Sequence, residues 1–429
     1  MTVCICASSL VPVGSLKRRG SRRLLARYTS VPVRMYTTTS TTMAMWYGNR
    51  HVDDTIVRVR VSGGDVPGDE ESVLDWTRTK IQQWCESVAT MDATHELLKF
   101  CMMLSLEELA LVHGGSDVKE EYLQRGTWSL QNIKNTSARV KELFIKGLSE
   151  DEWEIPVNVL AEKYPATLAS TINAVLFEHQ GYQRMKQFGN LECFQLSNVL
   201  DNGVSCPILL AIVYMAVSEE CGMPLHALVL EEGSYVVLWP HHGNFSSCVI
   251  DPYAQGILIS EEEIAELFEL QLPLQPSSLQ DIARAIVMQV LYTCWSAALQ
   301  VPPEPAFRIP ISLEVALGEY QDVSYSYGGK DVFLCLDDES ETSRAYMSRC
   351  ISAGEKLLLL SQHSNESKLQ LAILCYFSKD YNKAAELLDQ LISAIDQGQP
   401  DWLSTNPVDM ERMKLLYSKC VLCSSYTSL

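Results

Sequence analysis

The chain has 429 residues, 47% of them hydrophobic, which is enough for a large core divided among two or three domains. It carries 53 acidic and 34 basic residues, a formal net charge of −19. Since nucleic-acid affinity comes largely from Lys and Arg side chains that neutralise phosphates, this excess of acid predicts that the protein does not bind nucleic acid. The longest unbroken apolar run, 206–217, has 12 residues. That is fewer than the ~20 that cross a bilayer, so the sequence predicts no membrane span.

The first 49 residues differ in composition from the rest of the chain. They contain no Asp or Glu, and seven basic residues lie among many Ser and Thr residues. This composition is typical of an organellar transit peptide, although a disordered basic tail is the plainer interpretation. We predict that residues 1–45 are disordered, are removed on import and direct the protein to the plastid (chloroplast), with the mitochondrion as the alternative. The remaining chain would carry 27 basic and 53 acidic residues, a net charge near −26.

Residues 46–150 are predicted to form an acidic lead-in followed by helices. Glycine and acidic residues alternate over 63–70, which indicates a flexible segment. Helical patterns run through 72–112 and 117–147, separated by His113-Gly114-Gly115. Near the end of the second pattern, apolar residues at 140, 143, 144 and 148 share one helical face. The sequence therefore predicts a helical region before the central part of the chain.

A change from a helical to a strand pattern takes place within residues 196–260. The apolar run 206–217 is preceded by Asn202-Gly203 and closed by Cys221-Gly222-Met223-Pro224, which are start and stop signals of a buried helix. Three short runs rich in Val, Leu, Ile and aromatic residues follow, at 225–230, 235–239 and 247–251. Turn residues between them are typical of antiparallel strands. The sequence therefore predicts an α+β domain in which a central helix packs on an antiparallel sheet.

Residues 170–275 resemble the SirB1 family, whose N-terminal domain belongs to the transglutaminase-like superfamily. That superfamily shares with papain-like folds the order of a core helix followed by a sheet. The resemblance rests on the segments INAVLFE (172–178) with Gly181-Tyr182, LSNVL (196–200) with Gly203, Pro207 to Tyr214, CGMPL (221–225), GSYVV (233–237), IDPY (250–253), Gly256 and Ile259-Ser260. The resemblance also implies that tetratricopeptide-type helices follow the domain.

The resemblance further implies a catalytic site of the Cys-His-Asp type. Such a site needs a thiolate at the N-terminus of the central helix, a His that takes its proton and an Asp that orients the His. Cys206 lies at the nucleophile position or one residue before it, because the family has a proline where Pro207 stands. Asp251 fits the orienting position. Ser234 occupies the histidine position, and a serine cannot act as a base near neutral pH. The triad-equivalent residues Cys206, Ser234 and Asp251 are therefore predicted to be inactive.

Three other histidines are candidates for the missing base. If 235–239 pairs with 247–251 so that Tyr235 lies opposite Asp251, then His241 and His242 lie in the connecting turn. At about 3.3 Å per residue they are roughly 16 Å from the site, too far for a hydrogen bond of about 3 Å. His226 begins the preceding strand, and a register that brings it inward stays open.

Each candidate site residue also has an alternative interpretation in which it serves the fold and not the chemistry. Cys206 is one of 14 cysteines, and a cysteine beside a proline in an apolar run is more often a packed hydrophobe than a nucleophile. Asp251 before a proline commonly caps a turn. Cys420 and Cys423 have the spacing of zinc ligands, but no second pair accompanies them. The other cysteines are scattered singly, as suits a reduced compartment. We predict no metal and no cofactor.

The segment 276–342 is predicted to contain one helix and an irregular insertion. The helical pattern 279–300 ends at the proline-rich run 301–305. The residues after it have loop composition around one short strand, Val332–Leu336, and suggest no function. From Ser343 onward the chain is helical again.

Two helical stretches, 369–377 and 383–395, are joined by a corner at 378–381 and resemble one tetratricopeptide-type hairpin. The small and bulky residues that support the resemblance are Ala372, Tyr376, Tyr381, Ala385 and Leu388. An ordinary helical hairpin is the alternative. A single hairpin cannot bury both of its faces, so we expect flanking helices at 343–360 and 407–423 to complete the stack.

These patterns divide the chain into a transit peptide (1–45), an acidic helical region (46–150), a SirB1/transglutaminase-like domain (151–275), a helix with an insertion (276–342) and tetratricopeptide-like helices (343–429). The favoured function is a non-catalytic scaffold or adaptor in an organelle that binds protein partners through the C-terminal helices. The first alternative is a cysteine hydrolase or acyltransferase that uses Cys206. The second is a substrate adaptor for proteolysis, since the family occurs in F-box proteins, although no F-box-like leader is evident. The oligomeric state stays open.

Overall fold

The computed structural model describes residues 70–88, 94–113, 118–185, 191–230, 235–240, 248–299, 309–319, 341–361, 364–397 and 407–427. Several sequence predictions lie outside these ranges: the transit peptide at 1–45, the acidic lead-in up to 69, the serine at the histidine position (Ser234), the turn histidines (His241 and His242), and the strand at 332–336.

Three long helices open the described part of the chain: α1 (Glu70–Val88), α2 (Thr94–His113) and α3 (Val118–Lys146). The single pattern predicted over 72–112 is thus two helices. Trp84 of α1 joins them, because its ring lies 4.9 Å from the ring of Phe100 and its Nε1 donates to the carbonyl of Glu96 at 3.1 Å. Two short helices follow, α4 (Val157–Lys163) and α5 (Pro165–Asn173), and α5 continues into a π-helical turn, Ala174–His179.

The central helix follows a short helix and a two-stranded parallel pair. Helix α6 (Leu196–Asn202) precedes β2 (Val204–Ser205), and β2 pairs with β1 (Gln183–Arg184). Helix α7 (Pro207–Glu220) then begins, and its residues from Pro207 to Ser218 are all buried. Because it is apolar on every side, α7 packs against α2 and α3 as well as against the sheet that follows. The predicted buried helix is confirmed.

Glycine ends α7 for a steric reason. Gly222 has a φ of +84°, and a Cβ at this position would lie 2.7 Å from the Cα of Asn158. Only glycine combines the left-handed backbone with this close approach to α4.

A four-stranded sheet follows, with the strand order β3 (Leu225–Leu230), β4 (Tyr235–Pro240), β5 (Cys248–Asp251) and β6 (Ile257–Ser260), and all of its pairs are antiparallel. The predicted antiparallel strands are confirmed, but their register is not. Leu238 lies opposite Ile250, which places Val237 rather than Tyr235 opposite Asp251. A shift of two residues leaves every side chain on its original face, so the alternation of apolar residues could not reveal it.

The remaining helices are α8 (Glu261–Phe268), α9 (Leu279–Ala298), α10 (Leu313–Leu317), α11 (Glu341–Leu360), α12 (Asn365–Phe377), α13 (Tyr381–Asp396) and α14 (Pro407–Thr427). Helix α9 packs along α11, and α11 to α14 pack in sequence order. The predicted hairpin and both flanking helices are thereby confirmed as helices. At its corner, Lys379 has a φ of +67° and Asp380 accepts a hydrogen bond from the backbone N–H of Lys383. Within the described ranges, no helix is both long and apolar enough to cross a membrane.

Candidate functional site

Cys206 is the residue that immediately precedes the central helix. The pairing of β1 with β2 fixes its backbone, and its N–H donates to the carbonyl of Cys193 at 3.3 Å. Cys193 lies in the 3₁₀ turn Leu191–Phe194. Cys206 is only 1% exposed, so the sulfur is enclosed by the protein and not presented to solvent.

Two opposing effects act on the thiol of Cys206. Burial and, to a smaller extent, the neighbouring Cys193 disfavour the thiolate, whereas the backbone N–H groups of Leu209 and Ile208, at the N-terminus of α7, favour it. Burial is the larger effect, and it raises the pKa of the Cys206 thiol to about 12. Burial likewise raises the pKa of the Cys101 thiol on α2, and the nearby Cys206 adds to that rise. The helix terminus therefore does not produce a thiolate at neutral pH.

Asp251 ends β5 and caps the 3₁₀ turn Pro252–Ala254. Its Oδ1 accepts hydrogen bonds from the backbone N–H groups of Tyr253 at 2.8 Å and Ala254 at 3.0 Å, and its Oδ2 accepts one from the hydroxyl of Tyr235 at 2.6 Å. The residue is 4% exposed. Burial raises the pKa of the Asp251 carboxyl, while these three hydrogen bonds and the charge of Arg184 oppose that rise. Both carboxylate oxygens thus have donors.

The Tyr235 hydroxyl donates to the Asp251 oxygen that has no backbone donor. Burial and the nearby Asp251 raise the pKa of Tyr235 above its ordinary value, so this hydroxyl donates a hydrogen bond and is no base at neutral pH. Sequence reasoning paired Tyr235 directly with Asp251 and missed this contact. The observed register makes Tyr235 a diagonal neighbour of Asp251 on the same face, a distance that long side chains span.

His226 lies away from Cys206. It is on β3 opposite Trp239, and it lines a cleft together with Met215 and Glu219 of α7. These two residues are nine and thirteen positions after Cys206, or roughly 13–20 Å along a helix axis. The register that would bring His226 to the N-terminus of α7 is therefore not the one the protein adopts. The turn histidines, like Ser234, lie outside the described residues.

Arg184 lies between the strand that precedes Cys206 and the turn that follows Asp251. Its strand partner is Ser205, and its guanidinium lies 5.9 Å from the centre of the Tyr253 ring. Its positive charge lowers the pKa of Asp251. The sequence analysis did not single out Arg184, because a lone arginine after a helix is ordinarily a surface residue.

Asn173 holds the turn after Asp251 against α5 and α7. Its Nδ2 donates to the carbonyl of Gly256 at 2.9 Å, and its Oδ1 accepts from the hydroxyl of Tyr214 at 2.9 Å. Gly256 has a φ of +75°, and a Cβ there would lie 1.9 Å from the Oδ1 of Asn173. Asn173 lies in the segment that resembles the SirB1 family, but the resemblance gave it no role. The sequence signal that could have pointed to Asn173 is its amide side chain within an apolar helical run.

The cysteines and acidic residues do not gather into a metal site in the part of the chain that the structure describes, where no group of three or more His, Cys, Asp or Glu side chains is placed to hold an ion. Cys420 is fully buried and Cys423 is partly buried in α14.

Comparison with known families agrees with this geometry. Residues 129–292 match the family model described as the transglutaminase-like superfamily. The match begins within α3 and ends within α9, so it extends on both sides of the predicted interval 151–275. No curated protein and no solved structure matches the chain. Residues 129–292 therefore form a transglutaminase-like superfamily domain, in which α7 packs on a small antiparallel sheet and many helices follow toward the C-terminus.

Proposed function

We propose that this protein is a non-catalytic transglutaminase-like protein, of the SirB1 type, that acts as a scaffold or adaptor and binds protein partners through α11–α14. The observation that carries the proposal is the state of the two triad-equivalent residues that are described. Cys206 is enclosed by protein atoms, and each oxygen of the Asp251 carboxylate accepts a hydrogen bond from a group other than a histidine.

The burial of Cys206 disfavours thiol chemistry in two ways. A pKa of about 12 leaves on the order of one thiol in 100,000 as the nucleophilic thiolate at pH 7. In addition, an exposed fraction of 1% leaves no room for a carbonyl carbon to approach the sulfur. Either effect alone would slow nucleophilic attack, and together they support a structural role.

The C-terminal helices supply a surface that suits a protein partner. One face of α14 is buried through Met413, Leu416 and Cys420. The opposite face carries Leu415, Leu422 and Tyr426, which are 49%, 60% and 75% exposed. These three residues are spaced by seven and four positions and so lie along one face of the helix, where Lys419 separates Leu415 from the other two. Exposed apolar residues grouped in this way mark interaction surfaces. This face of α14 and the tetratricopeptide-like hairpin before it are the proposed partner site.

The proposed location is the plastid, with the mitochondrion as the alternative. The support is compositional: an acid-free, basic and Ser/Thr-rich first 49 residues. Imaging of a copy tagged at its C-terminus, together with N-terminal sequencing of the protein purified from its organism, tests this. A cytosolic signal or an intact N-terminus would refute it.

The proposed function is tested by alkylation and by partner capture. Iodoacetamide at neutral pH, with peptide mass spectrometry, should label Cys206 far more slowly than the partly buried Cys423, and denaturation should make the two rates similar. Partners recovered by proximity labelling should be retained with Cys206→Ala and lost with Leu422→Asp/Tyr426→Asp. Rapid labelling of Cys206, or loss of function in a folded Cys206→Ala variant, would overturn the scaffold proposal and favour the cysteine hydrolase or acyltransferase.

A further inference from the structure

The two outer strands of the four-stranded sheet differ in how their edges are covered. At β3, the segment that leads into α9 covers the edge, because the N–H of Ser277 donates to the carbonyl of Ala227 at 2.8 Å and its hydroxyl accepts from the N–H of Val229 at 3.0 Å. At β6, the described residues place no strand on the side away from β5. Within the described part of the chain, β6 is therefore an open edge.

The backbone of β6 has hydrogen-bonding groups on this open side. In an antiparallel pair, every second residue directs its N–H and C=O away from the neighbouring strand. Among the described residues, none outside the sheet donates to or accepts from the backbone of 257–259. Asn173 holds the carbonyl of Gly256 before this stretch, and the N–H of Ser260 after it donates to Glu263. An extended chain can therefore form hydrogen bonds between these two ends.

The side chains of β6 leave apolar surface exposed on both faces of the strand. Ile257 is 38% exposed and Leu258 is 42% exposed, and consecutive strand residues point to opposite faces. Ile259 packs against the core cluster that contains Val249 and Ile264. β6 contains no charged residue and no proline, the common devices that prevent an edge strand from pairing. A further strand would cover the exposed surface on both faces.

The part of the chain around this edge is acidic. Residues 187–283 contain 13 Asp and Glu residues and neither Lys nor Arg. Five of the glutamates lie within 261–269, immediately after β6, and three of these, Glu262, Glu266 and Glu269, are exposed. None of the three forms an ion pair with a described residue. Their charge favours a basic partner and opposes pairing of β6 with β6 of a second copy.

We propose that β6 binds an extended, basic segment of a protein partner, which pairs antiparallel to it as a fifth strand, as every pair of this sheet is antiparallel. The backbone of 257–259 supplies the hydrogen bonds, and Ile257 and Leu258 supply apolar contact. Lys or Arg at the N-terminal end of the segment lies beside the end of β6, where the glutamates of α8 begin. The site is separate from α14, so it goes beyond the proposed function and does not depend on it.

The test uses three labelled peptides, acetylated and amidated, on the full chain. The first is RRVTVTV; the second, EEVTVTV, reverses the charge; the third, RRVTPTV, keeps the charge but removes a backbone donor. Fluorescence anisotropy should show saturable binding of the first peptide and binding weaker by about tenfold or more for the other two. In about 1 M salt the preference for arginine over glutamate should vanish, because exposed charges are then screened.

Matched substitutions locate the binding. Ile257→Thr/Leu258→Thr removes apolar surface from β6 and should weaken binding of the first peptide about fivefold, whereas Val159→Thr, at a 47% exposed position of α4, should leave it unchanged. If the double variant fails to fold, Glu262→Gln/Glu266→Gln takes its place and should reduce the preference for arginine over glutamate. Binding that the variant of β6 does not weaken, or a preference that these glutamines leave intact, would overturn the proposal.

Amide hydrogen exchange, resolved by residue, shows whether the edge is open. In the free chain every second amide of 257–259 should exchange rapidly, and the bound first peptide should slow it. Slow exchange before the peptide is added would mean that another part of this chain already covers β6, or a second copy if the protection is lost on dilution. Either result, no saturable binding, or equal affinity for the three peptides would overturn the proposal. The substitutions in α14 that test the proposed function should leave peptide binding unchanged, so the two proposals fail separately.

Discussion

The Asp251 carboxylate at the end of β5 and the Glu107 carboxylate between α2 and α11 are both buried, yet they differ in how their hydrogen bonds are satisfied. The two oxygens of Asp251 accept hydrogen bonds from three groups of the protein. One oxygen of Glu107 accepts hydrogen bonds from Lys356 and Ser352, and the other has no donor among the residues that the structure describes. Donors of the fold thus hold both oxygens of Asp251, whereas Glu107 is held through one oxygen. At the position that the family resemblance singles out, the Asp251 carboxylate and its donors therefore stabilise the fold.

The largest effect is expected from breaking the buried ion pair between Glu107 and Lys356. Lys356→Met leaves the Glu107 carboxylate buried without its counter-charge, so we expect the free energy of unfolding to fall by about 3–5 kcal/mol. Urea denaturation measures it. The matched control, Glu107→Met/Lys356→Met, removes both charges and should stay within about 1 kcal/mol of the parent. If the single and double variants lose the same amount, the pair is not buried as described.

The next effect concerns the turn after Asp251. Gly256→Ala should lower the free energy of unfolding by about 2–4 kcal/mol, because the new Cβ meets Asn173 as well as a left-handed backbone. Gly318→Ala is the control, since Gly318 has the same φ of +75° but nothing within 4 Å of its Cβ position. The free energy of unfolding of Gly318→Ala should fall by only the cost of the left-handed backbone, about 1–2 kcal/mol. Equal losses would show that Asn173 does not clamp the turn.

A smaller effect, which depends on pH, is expected from Tyr235→Phe. Loss of the hydroxyl leaves the Oδ2 of Asp251 buried without a donor, which costs about 1–3 kcal/mol at pH 7. The hydroxyl lowers the pKa of Asp251, so its removal raises that pKa further above the unfolded value of about 3.9. Between the unfolded and folded pKa values the folded state binds more protons, and stability therefore falls as pH rises.

The difference in free energy of unfolding between Tyr235→Phe and the parent should accordingly become smaller as the pH is lowered from 7 toward 4, because Asp251 takes up a proton. Chemical denaturation at both pH values measures this, with Tyr417→Phe in α14 as the control for the loss of a hydroxyl elsewhere. A difference in stability that does not change with pH would show that the Tyr235 hydroxyl does not affect the protonation of Asp251.

These expectations also show what the sequence could and could not predict. The 12-residue apolar run 206–217, preceded by Asn202-Gly203 and followed by Cys221-Gly222-Met223-Pro224, is sufficient to predict α7, because the pattern and its start and stop signals are local. The contacts that decide the chemistry are not local. Asn173 and Gly256 are 83 residues apart, and Glu107 and Lys356 are 249 residues apart. No sequence pattern marks Glu107 and Lys356, because charged residues in helices ordinarily lie at the surface and burial of an ion pair depends on helices that meet only in the fold.

The smallest effect on stability is expected at the exposed apolar residues of α14. They contribute little to the fold, in contrast to the buried residues of the same helix. Leu422 is 60% exposed, so Leu422→Ala should change the free energy of unfolding by less than about 0.5 kcal/mol. Leu416 of the same helix is fully buried, and Leu416→Ala should cost about 2–5 kcal/mol. Urea denaturation compares the two. A large loss in Leu422→Ala would mean that this face of α14 already packs within this chain, and the partner site would have to lie elsewhere on the helices.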